Sequence, residues 1–260
     1  MSVDVAGVQV RLAGRTVLDE ITLSVPDGAM VGLLGPNGSG KSTLLRTLWH
    51  ALSPAGGTVL LDGADVARLS TRDLARRVAV LLQDDGTDPR STAREVVSTG
   101  RLPHRPMVGA DPDPDDPVTG ALAAAGAADL ADRRIGTLSG GQRQRVLAAR
   151  TLAQATPVVL LDEPTNHLDL SAQLDLLELF RHRGVTVVAA LHDLNLAAAY
   201  CDRLHLLHRG RLVASGTPEQ VLTPDLIGAV FGVAAALTTN PLTGTRAVHI
   251  GRRTDTEGTP

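Results

Sequence analysis

Nine consecutive residues, Gly35-Pro36-Asn37-Gly38-Ser39-Gly40-Lys41-Ser42-Thr43, carry the clearest chemistry in the chain. They match the phosphate-loop pattern G-x-x-x-x-G-K-[ST]. Glycines let successive backbone N–H groups curve around a polyphosphate, because a Cβ resists the φ values required. A helix starting at the loop's end directs its positive dipole end at the anion. Lys41 would reach the β- and γ-phosphates and Ser42 would offer its hydroxyl to Mg²⁺. Lys41 is also the only lysine; every other basic side chain of the Lys/Arg type is arginine.

Further acids and bases stand where such a site needs them. Asp162 and Glu163 follow the apolar run Val158–Leu161. Asp162 occupies the place of a magnesium-coordinating carboxylate, and Glu163 could orient or deprotonate a water attacking the γ-phosphate. Taken alone, two adjacent acids at a strand end are as readily a solvent-facing turn; Lys41 and Ser42 upstream favour the ion site. His192 could hydrogen-bond the γ-phosphate and hold the water in line with Glu163, although a lone histidine is more often structural and the chain has eight. Gln83 could reach Mg²⁺ and sense the γ-phosphate.

These residues need strands to hold them. The apolar run 29–34 precedes the loop, and Leu44, Leu45, Leu48, Trp49 and Leu52 follow it at helical spacing. Val78–Leu82 ends at Gln83, and Val185–Leu191 ends at His192. So Gly35, Gln83, Asp162 and His192 each come directly after a strand. In open α/β sheets ligands sit at the carboxyl ends of strands. Short apolar strands alternating with helices predict a mostly parallel sheet covered on both faces. Residues 1–28 read as an antiparallel β unit: Val3, Val5, Val8 and Val10 roughly alternate, and Ile21, Leu23 and Val25 alternate strictly.

Residues 84 to about 156 read differently, as a mainly helical insert. Thr92 with Glu95 caps one helix, Thr119–Leu130 is an alanine-rich second, and Arg143–Gln154 is a third. Asp111-Pro112-Asp113-Pro114-Asp115-Asp116-Pro117 predicts an exposed extended connector, neither helix nor strand. The nucleotide-binding core is then 1–83 with 157–250, the insert is 84–156, and 251–260, without apolar anchors, is expected to be disordered.

Leu138-Ser139-Gly140-Gly141-Gln142 places small residues at a helix N-terminus, a second anion site. One nucleotide does not need two such sites. A head-to-tail homodimer resolves this: the Leu138–Gln142 segment of one copy covers the γ-phosphate held by the other.

Composition excludes several alternatives. The net charge of −3 and 2% aromatic content support neither a nucleic-acid footprint nor base-stacking platforms. A single cysteine, Cys201, excludes an intramolecular disulfide and cysteine-rich zinc modules. The start lacks signal-peptide character, and the longest uncharged stretch, 226–245, is too polar to span a bilayer.

In this order the motifs resemble the ATP-binding subunit of an ABC transporter over roughly residues 3–250. The matching parts are the Walker A loop Gly35–Thr43, the Q-loop at Gln83, the signature Leu138–Gln142, Walker B Val158–Asp162 with Glu163, the D-loop Asn166-His167-Leu168-Asp169 and the switch His192. The resemblance implies a P-loop NTPase (RecA-like) α/β core with an N-terminal antiparallel β subdomain and an inserted α-helical subdomain. It further implies ATP and Mg²⁺ as ligands, Asp169 at the dimer interface, and an insert that moves on the core and docks a membrane subunit. Gly100-Arg101-Leu102-Pro103-His104, Leu191–Ala197 and Pro241-Leu242-Thr243-Gly244 resemble importers for iron–siderophores, heme and cobalamin. That subgroup implies two permease subunits, an extracytoplasmic substrate-binding protein acting indirectly, and a peripheral place on the cytoplasmic face of the membrane. The alternative is a soluble single-cassette ABC ATPase, such as an iron–sulfur assembly ATPase. One departure stands out. The family stacks an aromatic ring on adenine where this chain has Leu12, five residues before Val17-Leu18, which predicts weaker base discrimination or affinity.

Overall fold

The computed structural model describes residues 1–82, 86–105, 116–166 and 168–252. In chain order the elements are β1 (Val3–Leu12), β2 (Arg15–Val25), β3 (Met30–Leu34), α1 (Lys41–Leu48), β4 (Gly56–Leu61), β5 (Ala64–Asp65), α2 (Thr71–Ala75), β6 (Val78–Leu81) and α3 (Ala93–Thr99). There follow α4 (Pro117–Ala124), α5 (Gly140–Ala153), β7 (Val158–Asp162), α6 (Leu170–Arg181), β8 (Thr186–Ala190) and α7 (Leu194–Tyr200). The chain continues through β9 (Arg203–His208), β10 (Arg211–Gly216), α8 (Pro218–Val221), α9 (Pro224–Phe231), β11 (Ala234–Thr239) and β12 (Arg246–Gly251).

A six-stranded sheet runs in the order β10-β9-β3-β8-β7-β6. Its pairings are parallel from β9 to β6, and β10 closes one edge antiparallel to β9. The inner strands β3, β7 and β8 are short and buried at every position because both faces are covered, whereas the edge strand β10 alternates between exposed and covered residues. Val31 and Leu33, Val158 and Leu160, and Val188 and Ala190 enter one core with α1 and the N-terminal strands. Their alternates Leu34, Val159, Leu161, Val187 and Ala189 enter the other core, with the helices of the opposite face.

The N-terminal unit is the antiparallel sheet β2-β1-β4-β5. The imperfect alternation of β1 has a cause: its register with β2 shifts between Val5 and Val8 and again between Val8 and Val10. These irregularities keep Val3, Val5, Val8 and Val10 all buried. Between β6 and β7 the described elements are α3, α4 and α5, together with two short 3-10 turns at Ala128–Leu130 and Ile135–Thr137. Thr92 and Glu95 form the expected reciprocal cap of α3.

Several expectations change. The alanine-rich helix ends at Ala124, with Gly126 at φ 61°, rather than running to Leu130. It also begins at Pro117, which fits the first helical position behind the Asp116 cap, so that proline belongs to a helix rather than to an extended connector. Residues 111–115 of that connector lie outside the described residues. Helix α1 stops at Leu48, leaving Trp49 and Leu52 beyond it. The hairpin β11–β12 was not legible in sequence, and Gly251 closes β12 instead of starting a disordered tail. Residues 253–260 lie outside the described residues.

Candidate nucleotide site

Strands β3, β8 and β7 are immediate neighbours, so whatever follows each carboxyl end lands side by side. The 35–43 loop follows β3, His192 follows β8, and Asp162 ends β7 with Glu163 next. Residues 37–43 and Glu163 line a cavity of about 300 Å³.

The loop's glycines answer to its packing. A Cβ on Gly35, which sits at φ 145°, would lie 2.2 Å from the Leu207 carbonyl oxygen. A Cβ on Gly40, at φ 106°, would lie 2.6 Å from Leu18 Cδ2. The Lys41 side chain is buried, and its ammonium donates to the carbonyls of Gly35 at 2.8 Å and Pro36 at 3.3 Å. Burial lowers its proton affinity from the ordinary lysine value, while the nearby Glu163 and Asp162 charges oppose that shift. Ser39 Oγ is buried without a hydrogen-bond partner among the described residues. A curved backbone, a buried cation and an unsatisfied buried hydroxyl together fit a polyphosphate.

Ser42 Oγ donates to Asp162 Oδ1 at 2.7 Å, joining loop to strand. An alcohol and a carboxylate in contact are the hard oxygen donors that suit Mg²⁺ alongside phosphate. Gln83 lies outside the described residues.

Glu163 is fixed at both oxygens. Oε1 lies 2.6 Å from His192 Nε2, and Oε2 accepts from the Asn166 side-chain amide at 2.6 Å. Its backbone sits at φ 51°, a left-handed conformation uncommon for a residue with a Cβ. In the sequence Asn166 stands out only as the first residue of the D-loop resemblance. Its position three residues after Glu163, in a turn, is the one signal that could have marked it as the partner of that carboxylate.

The Leu138–Gln142 segment is elsewhere. Ser139 caps α5: its Oγ accepts from Gln142 N, and Gln142 Oε1 accepts from Ser139 N. Among the described residues, nothing beyond the chain neighbours and the helix's own backbone lies within 4 Å of where a Cβ on Gly140 or Gly141 would stand, so this N-terminus is open. Ser139 to Gln142 line a separate cavity of about 770 Å³ together with Asp169, which is exposed and caps α6 through Ala172 N. Among the described residues, none lines both cavities. Leu12 is 42% exposed at the end of β1, outside the lining of either cavity.

A family model described as ABC transporter matches residues 18–166, more than half of the chain. The chain belongs to the ABC transporter family. This ABC cassette is 48% identical over 248 residues to the cobalamin import ATP-binding protein BtuD of Halobacterium salinarum, covering 94% of the cassette and 62% of that protein. It therefore spans less than two thirds of that relative. It is 43% identical to the ferric enterobactin transport ATP-binding protein FepC of Escherichia coli, with 91% and 90% of the two chains covered. The hemin import ATP-binding protein HmuV of Nocardia farcinica is 48% identical, with 90% and 82% covered. Among solved structures, one assigned to a metal-chelate type of ABC transporter, in an inward-facing conformation, superposes with TM-score 0.82 at 25% identity over 98% of each chain. The dimeric ABC cassette MJ0796 superposes with TM-score 0.73 at 26% identity, covering 83% of this cassette and 98% of that one.

Proposed function

We propose that this chain is the ATP-hydrolysing subunit of an importer for iron–siderophore, heme or cobalamin-type cargo. The observation that carries the catalytic part is Glu163, held 2.6 Å from His192 on the rim of the cavity that contains Lys41. Residues 35–43 would cradle the phosphates, with Lys41 balancing their charge. Ser42 and Asp162, joined by Gln83, would hold Mg²⁺, which supplies positive charge against the phosphate oxygens. Glu163 would orient and deprotonate the attacking water, and His192 would keep the carboxylate in line. Each Glu163 oxygen accepts one hydrogen bond here and keeps a further lone pair with which it would accept the water's proton. Leu12 would cover adenine without a ring.

The cargo class rests on the relatives, which are named as import or transport ATP-binding proteins for cobalamin, ferric enterobactin and hemin. That favours an importer over a soluble iron–sulfur assembly ATPase. No helix among the described residues is long and apolar enough to cross a membrane. A pair of permease subunits would hold two cassettes at the cytoplasmic face, with an extracytoplasmic binding protein delivering cargo to the permease. The core would be 1–83 with 157–250, and the insert 84–156 would meet the permease. The groove of about 460 Å³ lined by Trp49, Leu74, Val80, Leu102 and Gln154 lies where insert and core adjoin, and we assign it to a cytoplasmic segment of the permease.

Phosphate release with Mg²⁺ and ATP tests the site. Glu163→Gln should retain ATP binding while turnover falls by a factor on the order of 10²–10⁴. Lys41→Ala should lose both. Near-normal turnover in either variant contradicts the assignment.

A further inference from the structure

The turn between β9 and β10, Arg209-Gly210, lines neither cavity, yet it rests on the phosphate loop. Gly210 N donates to the Ser39 carbonyl at 3.1 Å, and the Gly210 carbonyl accepts from Asp19 N at 2.9 Å. One residue thus bridges the loop after β3 and strand β2. The fit admits no side chain: at φ 78°, a Cβ on Gly210 would lie 2.4 Å from the Val17 carbonyl oxygen. The same oxygen would stand 3.3 Å from a Cβ on Gly40, so the Val17 carbonyl is wedged between the two glycines.

Strand β2 is shaped for this contact. Val8 pairs with Ile21 and Val10 with Leu18, so Asp19 and Glu20 together stand opposite Gln9. Glu20 sits at φ 54°. Such a bulge turns backbone groups out of the ladder, and the Asp19 N–H within it is the one that reaches Gly210. Arg211 secures the junction from β10: its Nε and Nη2 donate to Asp19 Oδ2 at 2.9 and 2.6 Å. The guanidinium is largely exposed, so the pair adds to the backbone bonds without replacing them.

What the Gly210 bond fixes is one peptide plane. In a trans peptide the C=O of Ser39 and the N–H of Gly40 point in opposite directions. The Ser39 carbonyl is drawn to Gly210, which does not line the loop's cavity, whereas Gly40 does. The Gly40 N–H is therefore turned away from Gly210, and among the described residues it has no acceptor. Successive free amides of this kind make an anion-binding concavity. With the plane reversed, the Ser39 carbonyl would face the anion and repel it.

We propose that Gly210 is a positioning residue for the phosphate loop. By holding the Ser39 carbonyl outward it keeps the Gly40 N–H aimed at a bound polyphosphate, and Asp19 backs it from β2. This rests on the reading of residues 35–43 as a nucleotide cradle.

The only cysteine, Cys201, lies shortly before Gly210 and allows the test. Residues 1–200, isotopically labelled, are ligated at Cys201 to a synthetic 201–260 segment in which an ester oxygen replaces the Gly210 amide nitrogen. That change deletes one donor and adds no side chain. In the all-amide chain, ATP should move the Gly40 amide proton resonance downfield. The ester should weaken ATP about tenfold, the scale of a hydrogen bond to a charged group, and abolish most of that shift. The amide resonances of α1 should keep their positions, which a general loss of stability would not allow. Asp19→Ala serves if the ester chain does not fold: it should weaken ATP about threefold and reduce the Gly40 shift. Asp19→Asn, which still accepts from Arg211, should restore both. Unchanged affinity in the ester chain, or in Asp19→Ala where the ester does not fold, overturns the proposal. So does a loss of affinity that leaves the Gly40 shift intact. If the all-amide chain binds no ATP, the nucleotide reading itself falls and takes the proposal with it; if it binds and the ester binds equally, only the role of Gly210 falls.

Discussion

Glu163 is constrained from three directions: His192 on one oxygen, Asn166 on the other, and a left-handed backbone beneath. Such strain persists only where surrounding contacts over-determine it. A second constrained residue, His205, sits outside the chemistry. It is 1% exposed; Nε2 donates to Ser24 O at 3.3 Å, and Nδ1 has no partner among the described residues. Burial holds its proton affinity below the ordinary 6.5, and the Arg203 charge adds to that. Above pH 6.5 the ring is neutral folded and unfolded, so its contribution is complete there. As pH falls through 6.5 the unfolded chain takes up the proton first, and stability drops until the lower folded value is passed. The denaturation midpoint should therefore fall between about pH 7.5 and about pH 5.5, and His205→Gln should reduce that fall. An identical slope in both proteins would remove His205 from the account. Lys41, Ser42, Asp162, Glu163 and His192 were legible because each directly follows, or lies a few residues beyond, an apolar strand. The Asn166 contact was not, because side-chain capture inside a turn depends on backbone angles that composition does not reveal.

At the scale of elements, α5 opens on a cap residue that in the proposed reading would also meet a phosphate. Ser139 Oγ accepts from Gln142 N, which leaves its own proton free to donate to an anion. Capping and phosphate contact can be separated by substitution. Ser139→Ala should lower stability by about 0.5–2 kcal/mol through loss of the cap, and turnover with it. Ser139→Asp keeps a capping acceptor and suits the positive helix end, so the thermal midpoint should hold or rise. Its charge would face the γ-phosphate, so turnover should still collapse. Normal turnover in the aspartate variant would leave Ser139 as a cap alone. The cap at Thr92 was readable because its spacing to Glu95 defines it, whereas Ser139 with Gln142 has the same spacing but reads as a run of small residues ahead of a helix from Arg143, and the helix in fact begins at Gly140. The β11–β12 hairpin was not readable. Its strands are half exposed, and β11 opens on three alanines with little β preference, so pairing with β12 and contact with α7 and α9 carry it instead of local propensity.

The whole molecule carries two separate surfaces that the proposed reading joins into one hydrolytic site. Among the described residues, the cavity of residues 37–43 and the cavity of Ser139–Gln142 share no lining residue, and the second is open at Gly140 and Gly141. A site completed within one chain would require the insert to fold onto the 37–43 loop. A two-fold pair completes both sites at once, since each surface patch then meets the other's complement. The exposed Asp169 beside the second cavity would lie between the two sites in such a pair. The two arrangements differ in mass. Glu163→Gln with ATP and Mg²⁺ should double in mass by light scattering, because nucleotide is bound and not consumed. Adding Lys41→Ala should return it to a monomer by removing the ligand that joins the halves, and Ser139→Asp should do so by repelling that ligand. A pair that forms equally well without nucleotide, or with Ser139→Asp in place, would mean that the signature surface is not what meets the phosphate.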